Sequence, residues 1–150
     1  MTEDQMSSDF SYQQRSVSFA IAAKILDAAV AYARETDRAI VVAVVDQGGV
    51  LKAFGRMDGA PLLSVQIAQD KAYSAAAFGM PTDQWYEFIK DDGPLLHGIV
   101  HTPRLTIFGG GFPILDEGEV VGGIGVSGGH YSDDMEVAKA ALDRVGLGKA

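Results

Sequence analysis

The sequence predicts an α+β fold in which helices pack on a mainly antiparallel sheet. Two strand-like segments, 39–46 and 50–56, are separated only by a short glycine-containing turn, so they should pair as a hairpin. Apolar residues recur at helical spacing over 18–38, which predicts an amphipathic helix before that hairpin. Because strands joined by short turns run antiparallel, the helices should collect on a face of the sheet.

The first half of the chain should contain a helix on each side of the hairpin. The alanine-rich segment 18–38 is the first helix, with Ser16 or Ser18 as its N-cap. The first hairpin strand is continuously apolar, as expected of a strand covered on both sides. A loop then leads to a second helix over 62–79, which Gly79 could end.

The second half is divided by glycine. A short helix should begin near Pro81, and the segment 94–103 is ambiguous. Three strands separated by glycine-rich turns follow, over 104–108, 112–115 and 120–126. A helix over 132–146 closes the chain, which gives the order α-β-β-α-α-β-β-β-α with five strands.

Length, composition and charge limit the classes of function. With 150 residues, the chain is expected to form a flexible polar tail over 1–16 and a single domain over 17–150. A net charge of −8 and no basic face argue against nucleic acid as a partner. No apolar run is long enough to span a membrane, and the polar, acidic N-terminus is unlike a signal peptide, which favours a cytoplasmic location.

Residues 123–128 match the G-x-G-x-x-G fingerprint of dinucleotide-binding proteins. That fingerprint also needs a later parallel strand that carries an acidic residue, and the remaining chain is too short to supply one. Asp133 and Asp134 would repel a pyrophosphate at the start of the following helix. Glycine inside a strand often marks the close approach of another backbone or of a ligand, and the sequence favours this explanation.

Two stretches resemble the GlcG/HbpS family, also called the haem-degrading or DUF336 domain, which forms the C-terminal part of PduO-type proteins. The first stretch, 44–82, contains R-M-D-G-A and then I-A-x-x-K-A. The second, 109–129, contains G-G-G-x-P-I and G-x-I-G-V-S-G-G. The resemblance extends over about 17–146, nearly the whole chain.

The resemblance implies a profilin-like α+β fold with a five-stranded antiparallel sheet. It also implies a homo-oligomer, up to an octamer. Some members bind haem or take part in its degradation, and others are linked to corrinoids. This chain departs from its relatives directly after the glycine loop, where His130 and Tyr131 stand in place of small or acidic residues.

Histidines are the candidate cofactor ligands. His130, beside the glycine loop, could coordinate haem iron or act as a general acid or base, with Tyr131 next to it. His97 and His101 would share a face if their segment were helical, and either could ligate haem. The alternative for all three is an exposed surface histidine, and no other metal site is predicted.

Several other side chains could bind or transform a ligand. Arg56 suits a carboxylate of a substrate or a haem propionate, Arg104 could also meet an anion, and Asp58 is an acidic candidate beside Arg56. Lys71 lies on an otherwise small and apolar helix face, where it reaches the surface, pairs with an acid or, if buried, acts as a base or Schiff-base amine with a lowered pKa. Further ligand-binding candidates come from the glycine-rich turns: Gly110, Gly111, Ser127, Gly128 and Gly129.

Two functions follow as expectations. The first is a cytoplasmic oligomer that binds haem or a related tetrapyrrole without covalent attachment. The second is a cofactor-independent lyase, hydratase or isomerase for a small carboxylated catabolite. In it Arg56 would hold the carboxylate, and His130 or Lys71 would move the proton. A scaffold subunit without a ligand is the third possibility.

Overall fold

The protein is described by a computed structural model that covers residues 8–148. Within that range the chain forms five α-helices: α1 Phe19–Glu35, α2 Leu63–Phe78, α3 Trp85–Ile89, α4 Gly93–Gly98 and α5 Tyr131–Arg144. The same residues form four strands: β1 Val41–Asp46, β2 Leu51–Arg56, β3 Gly111–Asp116 and β4 Glu119–Ser127. The α+β class is confirmed.

The four strands form one antiparallel sheet in the order β2-β1-β4-β3. One face of the sheet packs against α1 and α5, and the other packs against α2. Because β1 is central, its residues alternate between the two cores, with Val42 and Val44 in one and Val41 in the other. The helices therefore cover both faces of the sheet instead of collecting on one.

Local signals in the sequence set the helix ends. The Ser18 side chain accepts a hydrogen bond from the Ile21 N–H at 3.2 Å and caps α1, as predicted. Gly79 adopts a φ of 71° and ends α2, also as predicted, because a left-handed residue costs least when it is glycine. The ambiguous segment forms α4 and a 3₁₀ turn at Ile99–His101.

The predicted strand over 104–108 does not form, so the sheet has four strands rather than five. Ser74 of α2 takes up the backbone hydrogen bonds that a neighbouring strand would have made. Its Oγ donates to the carbonyl of Arg104 at 2.8 Å and accepts from the N–H of Thr106 at 2.9 Å. Arg104 also has a φ of 66°, which is outside the extended region.

The glycines of β4 let α2 lie unusually close to the sheet. A Cβ built on Gly125 would lie 2.0 Å from the carbonyl oxygen of Ala68, and one on Gly123 would lie 2.3 Å from that of Ala72. These glycines of the fingerprint-like segment therefore face a helix backbone. Among residues 8–148, no helix is both long and apolar enough to cross a membrane.

Candidate functional site

A cleft of about 340 Å³ opens between the start of α2 and the start of α5. We call it the α2–α5 cleft. Its walls are largely apolar: Pro61, Leu63, Ile67, Phe108 and Tyr131. The rest of its lining comprises the polar residues Ser64, Lys71, Ser127, His130 and Asp134, together with Gly128 and Gly129. An apolar cavity with a few convergent polar groups is the usual form of a small-molecule site.

Lys71 and Asp134 form a buried ion pair at the floor of this cleft. The Lys71 Nζ donates to Asp134 Oδ2 at 3.0 Å and to the Val126 carbonyl at 2.9 Å. Both side chains are almost fully buried. Phe108 covers the ammonium, with its ring centroid 5.1 Å from Nζ. The ammonium thus has three partners, and Lys71 could serve as a base only after this arrangement opened.

Burial shifts both members of the pair towards their neutral forms. It lowers the pKa of Lys71, against the opposing attraction of Asp134. It likewise raises the pKa of Asp134, against the attraction of Lys71. Sequence reasoning allowed for an acidic partner of Lys71 but did not identify Asp134, which follows it by 63 residues and becomes its neighbour only through the fold.

His130 is exposed at the rim of the cleft, and its ring stacks on Tyr131 with the ring centroids 4.1 Å apart. Its Nδ1 lies 3.2 Å from the Ser132 N and 2.8 Å from the Ser132 Oγ. In one tautomer Nδ1 accepts the backbone N–H and caps α5. In the other it donates to the hydroxyl and leaves the lone pair of Nε2 free.

The start of α5 is not arranged to bind a phosphate. The first-turn N–H of Ser132 points to His130, and those of Asp133 and Asp134 bond to the His130 carbonyl. The Gly129 N–H donates to Asp134 Oδ1 at 3.3 Å. Because the N–H groups of Gly129, Asp133 and Asp134 already have protein acceptors and two carboxylates stand beside them, a pyrophosphate would be repelled here.

Arg56 reaches the same end and face of the sheet as the cleft. Arg56 and Ser127 both pair with Val41, one from each side, so the three side chains point to one face. Ser127 contacts Ser64 of α2 through hydroxyls 3.0 Å apart, which identifies this face as the cleft side. The exposed Arg56 side chain donates to the Ala60 carbonyl at 2.8 Å from Nη2.

The remaining candidates lie apart from the cleft lining. Asp58 is exposed in the loop after β2, and His97 and His101 are exposed on α4 and the turn after it. Arg104 stacks on Tyr73 in a separate cleft. Across residues 8–148, no three His, Asp or Glu side chains are grouped so that they could hold a metal ion.

Gly110 and Gly111 give Lys71 room instead of lining the cleft. A Cβ on Gly110 would lie 2.6 Å from the Lys71 Nζ, and one on Gly111 would lie 2.4 Å from the Lys71 carbonyl oxygen. Both glycines are buried. The turn that sequence reasoning assigned to ligand binding therefore packs against the ion pair.

Comparison with known proteins identifies the family. The HbpS-like haem degrading protein family matches residues 17–143. An uncharacterised 15.0 kDa protein from the dhaT-dhaS intergenic region of Citrobacter freundii is 37% identical, over 89% of this chain and 94% of its own length.

Solved structures agree with this assignment. The DUF336 protein ORFY of Klebsiella pneumoniae superimposes with a TM-score of 0.86 at 34% identity, covering 93% of this chain and 97% of its own. A PduOC–haem complex superimposes with a TM-score of 0.80 at 29% identity, covering 89% and 97%. The chain belongs to the HbpS-like, DUF336 family.

Proposed function

We propose that this protein binds haem or a related tetrapyrrole, non-covalently, in the α2–α5 cleft. The observation that carries the proposal is His130, an exposed imidazole at the rim of an apolar cleft. A flat apolar ring suits walls made by Ile67, Phe108 and Tyr131. The likeness to a PduOC–haem complex supports the same ligand class.

His130 fits the role of iron ligand in its hydrogen bonding as well as its position. A metal-bound histidine normally donates its second ring N–H to a partner, which fixes the tautomer. The Ser132 hydroxyl, 2.8 Å from Nδ1, is such a partner and leaves Nε2 for iron. Bound haem supplies redox and oxygen chemistry, and the protein contributes the ligand and the apolar walls.

Arg56 is the best placed cation for a haem propionate. Arg56 on β2 and Ser127 on β4 flank Val41 of β1 and share the cleft face of the sheet. Two strand spacings separate them, which is about 10 Å across the sheet. Two of the Arg56 guanidinium nitrogens hold the Ala60 carbonyl, which orients the side chain while Nη1 stays available. Lys71 is less suited to this role because its ammonium is buried against Asp134.

A haemin titration followed by absorbance tests the proposal. The wild-type protein should give a saturable, shifted Soret band at about one equivalent per subunit. His130→Ala should alter the band position, because it removes the iron ligand. Arg56→Gln should weaken binding about tenfold with the band unchanged, because one charged hydrogen-bond partner is lost.

His97→Ala and His101→Ala are matched controls, since each removes an exposed histidine outside the cleft lining. Both should bind haemin like the wild type. Weak, non-saturating absorbance with the wild type would overturn the tetrapyrrole proposal. The surviving hypothesis would then be the cofactor-independent lyase, hydratase or isomerase, with His130 as its acid or base. A band altered only by His97→Ala or His101→Ala would overturn the assignment of His130.

We further propose that the protein assembles into a homo-oligomer. Phe78 and Phe88 expose 56% and 59% of their surface, and their ring centroids lie 6.2 Å apart at the end of α2 and on α3, where they form what we call the aromatic patch. Contiguous exposed aromatic side chains are typical of protein–protein contacts.

A further inference from the structure

A second cleft, of about 330 Å³, lies on another flank of α2, beside the β1–β2 turn. We call it the Arg104 cleft. Its lining combines apolar residues of the hairpin with polar residues of α2 and one arginine: Val45, Gly49, Val50, Leu51, Gln66, Gln69, Asp70, Tyr73 and Arg104. None of these residues lines the α2–α5 cleft.

The Arg104 side chain is held in place by its surroundings. Its guanidinium lies over the Tyr73 ring, 3.5 Å from the centroid. Tyr73 in turn packs so closely on Gly49 that a Cβ there would lie 2.8 Å from the ring. The backbone of Arg104 is fixed by the buried Ser74, whose Oγ donates to its carbonyl at 2.8 Å.

Arg104 also has a strained backbone. Its φ of 66° is costly for a long side chain and would suit glycine or asparagine better. Strain of this kind concentrates at ligand-binding positions. Among the described carboxylates, none lies within 4.0 Å of the Arg104 guanidinium, so within residues 8–148 its charge is met by the Tyr73 ring and not by an acid.

Asp70 shares the cleft with Arg104 without pairing with it. One of its oxygens, Oδ1, accepts a hydrogen bond from Gln66 Nε2 at 2.8 Å, which orients the carboxylate. A guanidinium and a separate carboxylate in one cleft complement a ligand that has a carboxylate at one end and a hydroxyl or ammonium donor nearby. The apolar side chains of Val50 and Leu51 would contact a short carbon chain.

We propose that the Arg104 cleft binds a small carboxylate that also carries a hydrogen-bond donor, a hydroxy acid or an amino acid. Arg104 binds the ligand carboxylate through its planar fork, and Asp70 accepts from the hydroxyl or ammonium. Comparing a hydroxy acid with an amino acid shows whether the donor on the ligand is a hydroxyl or an ammonium group.

The experiment is an NMR titration of the full-length protein that follows the amide of Gly49. The probes are butyrate, 2-hydroxybutyrate and 2-aminobutyrate, which share one carbon chain and differ only in the donor. We expect 2-hydroxybutyrate, 2-aminobutyrate or both to bind at least about tenfold more tightly than butyrate, because only these probes satisfy Asp70. Asp70→Ala should remove that preference and leave weak binding of all three.

Arg104→Asn should abolish binding of every probe, and asparagine tolerates the backbone conformation of that position. Arg104→Gly should also abolish binding while it raises the melting temperature, because it relieves the strain. Arg34→Gln, which removes one exposed arginine of α1, is the matched charge control and should bind like the wild type. Unchanged titrations with Arg104→Asn, or butyrate binding as tightly as both other probes, would overturn the proposal. Neither result bears on haem binding.

Discussion

Single glycine residues decide how closely α2 can approach the sheet. Gly125 and Gly123 in β4 oppose Ala68 and Ala72 of α2, so both surfaces carry the smallest side chains available. The carbonyl of Ala68 stands where a Cβ of residue 125 would be. Protein interiors do not absorb an added methyl group against backbone, because backbone cannot move aside as a side chain can. The short helix–sheet distance also places Lys71 beneath Gly110, beside the cleft.

Gly125→Ala should therefore destabilise the protein by about 3 kcal/mol or more, at the upper end of the range for overpacked cores. The new Cβ would lie 2.0 Å from the Ala68 carbonyl oxygen, so α2 must move away from β4. Urea denaturation followed by circular dichroism measures the loss. Gly98→Ala in α4 is the control, since a Cβ there meets nothing within 4 Å. Equal stability of the two variants would contradict this account of the packing.

At the scale of secondary-structure elements, the Lys71–Asp134 pair joins α2 to α5 around the end of β4. Lys71 bonds to Asp134 of α5 and to the Val126 carbonyl of β4. Asp134 in turn accepts from the Gly129 N–H, so the pair also orders the loop that carries His130. A buried pair of this kind specifies how elements meet more than it stabilises them, because desolvation offsets the attraction.

A double-mutant cycle separates those two effects. Lys71→Met or Asp134→Leu alone should cost about 3–5 kcal/mol of unfolding free energy, because each leaves a buried charge without its partner. The double variant should lie within about 1 kcal/mol of the wild type or be more stable. Chemical denaturation of the four proteins gives the coupling. Additive losses in the double variant would contradict a compensated pair.

Burial of the pair also predicts how the stability difference between the wild type and the double variant changes with pH. As pH rises from the lowered pKa of Lys71 towards its ordinary 10.5, the unfolded chain holds more protons than the folded one. The wild type should then gain stability relative to the double variant. As pH falls from the raised pKa of Asp134 towards its ordinary 3.8, the folded chain holds more protons than the unfolded one. In this range too, the wild type should gain stability relative to the double variant. A difference that does not change with pH would contradict the burial of both charges.

Local patterns predicted most of the elements because their causes are local. The Ser18 cap, the hairpin and the end of α2 at Gly79 depend on neighbouring residues in the sequence. The expected strand over 104–108 failed for a non-local reason, since its backbone groups bond to Ser74 about 30 residues earlier. Asp134, the acid that pairs with Lys71, could not be identified from the sequence for the same reason, because it is 63 residues away along the chain. The expected tail over 1–16 lies partly outside the described residues, so that prediction stays open.

Across the whole molecule, ion pairs link α1 and α5 on one face of the sheet, and the aromatic patch is exposed elsewhere. Arg144 pairs with Glu35, joining α5 to the end of α1, and this pairing lowers the pKa of Glu35. Arg38 makes a similar contact with Glu136 of α5. The aromatic patch lies outside this charged layer. Because Trp85 beneath it is buried in the core, the patch has a firm base on which a second copy could pack.

A homo-oligomer that packs through the aromatic patch should be visible in its size in solution. In sedimentation velocity at micromolar concentration, the wild type should sediment as a closed multiple of one chain. Phe88→Ser should shift the distribution towards smaller species, because it removes an aromatic contact that is 59% exposed in the single chain. Phe19→Ser is the matched control: Phe19 is 67% exposed but lies on α1, away from the aromatic patch, so its loss should leave the distribution unchanged. If the wild type sediments as a single chain, the assembly does not form. If only Phe19→Ser disrupts a larger species, the interface lies on the α1 side of the sheet and the aromatic patch must serve another contact.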